Sequence, residues 1–189
     1  MNHLLHGVAR AVAATFDLPG PVLEIGSYQV QGQEAIADLR LLFPGREYIG
    51  LDMRLGPGVD RVANVEELPF ADGSIGTVIA LSAFEHVRHF WKGFEEVHRV
   101  LRPDGAFLVA CPFFFRVHNF PDDYWRFTPS AFEVLLDAYP SKLLGWHGPK
   151  HRPANVWAVA FREGRPPISQ FERTEYEANL HAFAREPLS

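Results

Sequence analysis

Cysteine is nearly absent: Cys111 is the only one in 189 residues. An internal disulfide is therefore excluded, and the usage fits a reducing compartment, so a cytoplasmic location is expected. No apolar run approaches the roughly 20 residues that a membrane-spanning helix needs, so no membrane association is expected. The opening "MNHLLHGVARAV" lacks a basic stretch leading into an apolar block, so no secretory leader is read there. Positive charge is also in deficit. Lys and Arg total 18 against 23 Asp and Glu, a formal charge of −5 that supplies no electrostatic reason for a nucleic-acid partner. Internal repeats and low-complexity tracts are missing too. Nine histidines are present, but no pair shows tight ligand spacing with a carboxylate beside it. His147 and His151 are four apart, yet they flank Gly148 and Pro149 and cannot share a helical face. No metal site is expected.

What the sequence does hold is a regular alternation of short apolar runs with amphipathic ones. Leu5, Val8, Ala9, Val12, Ala13 and Phe16 recur at helical spacing and predict a first helix. Strands are predicted at 22–25, 47–52, 59–63, 75–83 and 106–113. "GQEAIADLRLLF" predicts a helix with Ala35, Ile36, Leu39 and Leu42 inward. "FWKGFEEVHRVL" predicts another, supported by a Glu95–Arg99 pair, with Pro103 to Gly105 turning the chain after it. Thr128 is positioned to cap a helix that starts at Pro129. Residues 142–146 and 155–161 read as two closing strands. Strands alternating with helices argue for a parallel α/β sheet. The domain is expected to span 1–163, with a polar segment, 164–189, forming a docked helix or a tail.

In open α/β sheets ligands sit beyond the carboxyl ends of the strands. Four features fall there: Glu24 and Gly26 after strand one, Asp52 closing strand two, Asn64 after strand three, and Ser82 to Val87 after strand four. The set suits an adenosine. Asp52 has acceptors for both ribose hydroxyls, and Asn64 has a carbonyl for the adenine amine and an NH₂ for a ring nitrogen. Gly26 lets backbone approach the ligand without a Cβ.

These segments resemble the class I S-adenosylmethionine-dependent methyltransferases. "VLEIGS", "YIGLD", "ANVEELPFADGSIGTVIALSAFEHV" and "FEEVHRVLRPDGAFLVACP" follow the order and spacing of that family's motifs, from Pro21 to about Phe115. "DYWRFTP", Asp123 to Pro129, looks like a subgroup of small bacterial members. The resemblance implies a three-layer, Rossmann-like α/β sandwich with a mostly parallel seven-stranded sheet and an antiparallel last strand. It implies S-adenosyl-L-methionine as cofactor, held by Glu24, Gly26, Ser27, Asp52, Met53, Asn64, Val65 and Leu81, with Ser82 near the methionine part. Tyr28 and Val30 stand where the family usually has glycines, so the loop is either re-shaped or partly blocked.

A sulfonium methyl is already activated, so a base is needed only where the acceptor loses a proton. His86 is the candidate base, since imidazole titrates near neutrality. His118, Tyr124 and Trp125, with Phe115 and Phe120, are candidates for an acceptor pocket under the aromatic loop, although such a cluster also serves plain packing. Arg116 and Arg126 have Asp122 and Asp123 as local partners. The expected activity is methyl transfer to a small-molecule or saccharide-linked acceptor, with a homodimer left open. The alternative is a non-catalytic methyltransferase-like binding or scaffold module. A nicotinamide oxidoreductase fits poorly, because the Gly-x-Gly-x-x-Gly turn is missing after strand one.

Overall fold

The computed structural model describes residues 2–32, 34–118 and 121–184. Seven strands form one sheet: β1 (Val22–Ile25), β2 (Tyr48–Asp52), β3 (Arg61–Val62), β4 (Ile75–Leu81), β5 (Leu101–Pro112), β6 (Ser141–His147) and β7 (Asn155–Phe161), in the order β3-β2-β1-β4-β5-β7-β6. β1 to β5 pair in parallel, and β7 is antiparallel to both its neighbours. The expected fold class is therefore the observed one. From β1 the chain steps outward through β2 and β3, then returns to place β4 on the other side of β1. That reversal creates a switch point between β1 and β4.

The sheet is central because its strands are apolar on both faces; every residue of β1, β4 and β7 is buried. One face packs under α1 (His3–Thr15) and α5 (Gln170–Phe183), the other under α3 (Phe90–Val100) and α4 (Pro129–Leu135). α1 starts where the Asn2 side chain accepts from the Leu5 N–H. α4 starts where Thr128 accepts from Ala131 N–H, with Pro129 in the first turn. α5 opens with a reciprocal Ser169–Glu172 capping box and docks on α1 through an Asn179–Thr15 bond of 3.0 Å. Below it, Trp157 donates to the Tyr176 hydroxyl at 3.0 Å. Among the described residues, no helix is long and apolar enough to cross a membrane.

Three local expectations change. The helix predicted for 32–43 shrinks to α2 (Glu34–Ala37) and a separate 3₁₀ turn, Arg40–Leu42. Asp38 breaks it by accepting the Arg40 N–H at 3.1 Å, and Arg40 is drawn away to Tyr48 O, Gly58 O and Asp60. Gln33, and the side chains of Glu34 and Ala35, lie outside the described residues. Second, residues 103–105 do not end the segment before β5; they form a bulge within it. Ile75 pairs with Leu101 and Thr77 with Ala106, so β5 carries the excess residues. Third, Arg99 pairs with Glu96 and Asp72 rather than Glu95, because it also caps the carbonyls of Leu68 and Phe70.

Candidate functional site

Gly26 ends β1 at the switch point with φ +78°, a conformation glycine adopts without strain. A Cβ on it would lie 2.9 Å from the Ala83 Cβ, so the glycine is what lets the β1 and β4 ends converge. Ser82, closing β4, holds φ +57°, a strained value for a non-glycine residue. Gly26 N–H and Ser27 N–H both donate to Leu51 O, at 2.8 and 3.1 Å, and Ala63 N–H donates to Asp52 O at 3.0 Å. These bonds set Gly26, Asp52 and Asn64 side by side on three adjacent strand ends. Asp52 uses Oδ1 for the Arg54 N–H at 2.9 Å, and Oδ2 makes no hydrogen bond among the described residues. Asn64 uses its carbonyl for the Glu66 N–H at 3.0 Å. The carbonyl expected to pair with an adenine amine is thus committed, and the group a ligand meets is the NH₂.

The loop after Gly26 packs on the segment that follows β2. Gln29 N–H donates to Pro57 O at 2.9 Å, laying the loop along residues 54–58. Gly56 and Gly58 make the room: a Cβ on Gly56 would fall 2.2 Å from the Tyr28 ring, and one on Gly58 2.5 Å from Ser27 O. The Arg54 guanidinium covers the other side of that ring, 4.5 Å from its centre. Val30 points outward, 41% exposed. The contacts of Arg54, Gly56 and Gly58 were not anticipated. The signal was present as "RLGPG", two small residues after β2 complementing two bulky ones after β1.

Other expected cofactor residues are placed differently. Glu24 is buried and accepts from the Tyr48 hydroxyl at 2.8 Å; burial pushes its carboxyl up to about 7. Ser27 turns its hydroxyl into the protein, where it has no hydrogen-bond partner. Val65 and Leu81 are core residues, whereas Met53 is exposed. Of the expected set, Gly26, Asp52 and Asn64 offer the open edge that the sequence reading required.

Beyond β4 a short 3₁₀ turn, Phe84–His86, carries Glu85 and His86. Tyr124 N–H and Trp125 N–H both donate to Glu85 O, which pins the aromatic loop onto this turn and brings His118 to His86. His86 Nδ1 bonds the Asp122 carbonyl, so that nitrogen carries the proton, and burial pushes the ring's pKa down. His118 bonds Asp123 through its N–H and Nδ1, at 2.8 and 3.0 Å. The Arg126 guanidinium grips the same carboxylate and holds it well below the usual range. Glu85 is 0% exposed, and burial raises its carboxyl to about 7. Next to this cluster, Phe113, Phe115, Val117, Asp123, Tyr124 and Arg126 line an open hollow of about 720 Å³. Trp125 is not part of that lining: its indole donates to Val87 O at 3.0 Å and packs on Phe90. Phe120 lies outside the described residues. A smaller hollow near Asp17, Asp104 and Arg165 opens away from the strand carboxyl ends.

Residues 30–109 match the family model for a methyltransferase domain. A "probable S-adenosylmethionine-dependent methyltransferase" of Mycolicibacterium smegmatis is 37% identical over 101 residues. Over just under half of its length the chain is similar to S-adenosylmethionine-dependent methyltransferases. The match to the Mycolicibacterium smegmatis protein covers 48% of this chain and 37% of that protein, so the chain spans about a third of its relative's length. By fold it is similar to the 1,6-didemethyltoxoflavin-N1-methyltransferase of Burkholderia thailandensis, whose structure holds 1,6-didemethyltoxoflavin and S-adenosylhomocysteine: TM-score 0.65, 17% identity, 84% of this chain and 78% of that one. A Mesorhizobium loti S-adenosylmethionine-dependent methyltransferase superposes with TM-score 0.59 at 14% identity, covering 80% and 96% of the two chains. The family cofactor fits the residues at the switch point: a glycine turn with an exposed backbone, a carboxylate with an oxygen to spare and a carboxamide NH₂ stand in a row.

Proposed function

We propose that this chain transfers a methyl group from S-adenosylmethionine to a small-molecule or saccharide-linked acceptor. The observation that carries the proposal is the row formed by Gly26, Asp52 and Asn64 at the switch point, with an aromatic hollow past the neighbouring strands. When bound, the cofactor supplies a methyl on a positive sulfur. Asp52 anchors the ribose, Asn64 the adenine edge, and Gly26 gives backbone access to the rest. The hollow supplies apolar walls against which the acceptor is oriented. His86 acts as base for a hydroxyl acceptor. Its Nδ1 proton is committed to Asp122, so Nε2 bears the lone pair, and the lowered pKa keeps it neutral. Residues 1–163 are taken as the catalytic unit, and the net negative charge supports a partner other than nucleic acid.

Calorimetry with S-adenosylhomocysteine tests the reading. Saturable binding is expected, weakened about 10–100-fold by Asp52→Ala, the loss of a charge-assisted bond. Absence of heat and of any thermal shift at millimolar ligand overturns it. A second reading, a binding module without catalysis, draws on the Tyr28–Arg54 stack beside Asp52. Replacing Tyr28→Gly with Val30→Gly separates the two: weaker affinity marks a working variant loop, and a gain marks an obstructed pocket.

A further inference from the structure

We propose that Glu85, His86 and His118 form a binding site for one divalent first-row transition-metal ion. Each residue offers one ligand atom, and the three atoms lie within 4.8 Å of one another. The sequence hides this set, because His118 is 32 positions from His86 and reaches it only through the loop pinned at Glu85 O.

Glu85 supplies the reason for a cation. Its side chain is 0% exposed, and neither carboxylate oxygen makes a hydrogen bond. An isolated buried carboxylate costs several kcal/mol unless a positive charge faces it. The groups beside it are the buried Cys111 thiol, a weak donor, and the His86 ring, with Nε2 3.8 Å from Oε1, too far for a hydrogen bond. Two ligands of one tetrahedral ion at bond lengths near 2.0–2.1 Å stand about 3.3 Å apart. Closing that pair takes about half an ångström, and the widest pair about 1.5 Å, within reach of side-chain rotation.

The outer arrangement is that of metal-ligating histidines. His86 Nδ1 is held by a backbone carbonyl and His118 Nδ1 by the Asp123 carboxylate, so both rings direct Nε2 lone pairs as ligands. Asp123 is itself fixed by Arg126. Two imidazoles and one carboxylate suit zinc, cobalt or iron, and three protein ligands leave a position open beside the acceptor hollow. A loaded ion would use the same His86 Nε2 that otherwise serves as base. Such an ion would lower the pKa of a water or ligand bound at its open position. The inference goes beyond methyl transfer and does not rest on it.

The test uses the full chain, stripped with a chelator and titrated with Co²⁺, read by visible absorption, and with Zn²⁺, read by calorimetry. One equivalent with ligand-field bands is expected. His86→Ala, His118→Ala and Glu85→Gln should each weaken binding at least 100-fold, while His3→Ala, on α1 across the sheet, leaves it unchanged. His86 and His118 are both partly exposed, and near-ultraviolet circular dichroism of their variants reports the fold. Failure of the wild-type protein to saturate with either ion overturns the site, as does undiminished affinity in the His86→Ala/His118→Ala double variant. S-adenosylhomocysteine binding to the stripped protein is measured alongside, so a failed metal site is distinguishable from a failed cofactor site.

Discussion

Glu24 is buried at the middle of the sheet, with the Tyr48 hydroxyl as its hydrogen-bond partner and Arg40 nearby. Its carboxyl titrates near 7 in the folded chain against about 4.5 when unfolded. A raised carboxyl favours the folded state below the unfolded value and loses that advantage as pH climbs through the folded one. This residue therefore makes stability fall between about pH 4.5 and 7. Glu24→Gln removes the titration while keeping an acceptor for Tyr48. At pH 4 the two proteins should melt together; at pH 8 the variant should be more stable by on the order of 3 kcal/mol, from the 2.5-unit difference. Equal melting of the two at both pH values would contradict it. Residues of this kind mark what single-residue reading reached. Asp52 was legible as the carboxylate that closes β2, because the apolar run stops at it. The surroundings of Glu24 were not legible, because they depend on Tyr48 and Arg40, which come from other elements. Glu85 was passed over, since its isolation is made by the fold and leaves no trace in local sequence.

Elements with one dominant period were read well. α1 and α3 carry clean apolar stripes, and β4, β5 and β7 are continuous apolar runs, so burial and type agree. Reading failed where a short-range competitor intervened, as at Asp38, or where the sheet absorbed irregular residues, as at Pro103 to Gly105. The polar stretch after Pro167 gave two answers, and contacts across α1 decide for the helix. That docking is close. A Cβ on Gly7 would lie 2.2 Å from Phe183 O and 2.6 Å from the Ala184 Cα, both backbone atoms that cannot turn aside. Gly7→Ala improves α1 intrinsically by about 1 kcal/mol, yet overpacking typically costs 1–3 kcal/mol and, against backbone, its upper end. A net loss is expected, lowering the midpoint by about 2–4 °C per kcal/mol in a thermal melt. A variant that melts at or above wild type would show that α5 rests on α1 without load.

The molecule as a whole separates its two duties by position. The sheet interior and the α1–α5 face supply stability, while the strand carboxyl ends carry the strained Ser82, the exposed Gly26 turn and the loop that pins His118. Sites far apart with no shared partner contribute independently. The two kinds of substitution should therefore part cleanly in a ligand-stabilisation experiment. At 100 times the dissociation constant, S-adenosylhomocysteine should stabilise the folded chain by about 2.7 kcal/mol. In a chain of this size that raises the midpoint by about 5–10 °C. Among the described residues the Asp52 carboxylate hydrogen-bonds only Arg54, a pair worth about 0–1 kcal/mol, so the unliganded midpoint of Asp52→Ala should stay near that of wild type. Its affinity loss of about 10–100-fold cuts the shift at the same ligand concentration to half or less. Gly7→Ala should behave in the opposite way, melting lower without ligand and keeping the whole shift. If Gly7→Ala also lost the shift, the α1–α5 face would be coupled to the switch point. The division of labour would then fail, even with every local contact as described.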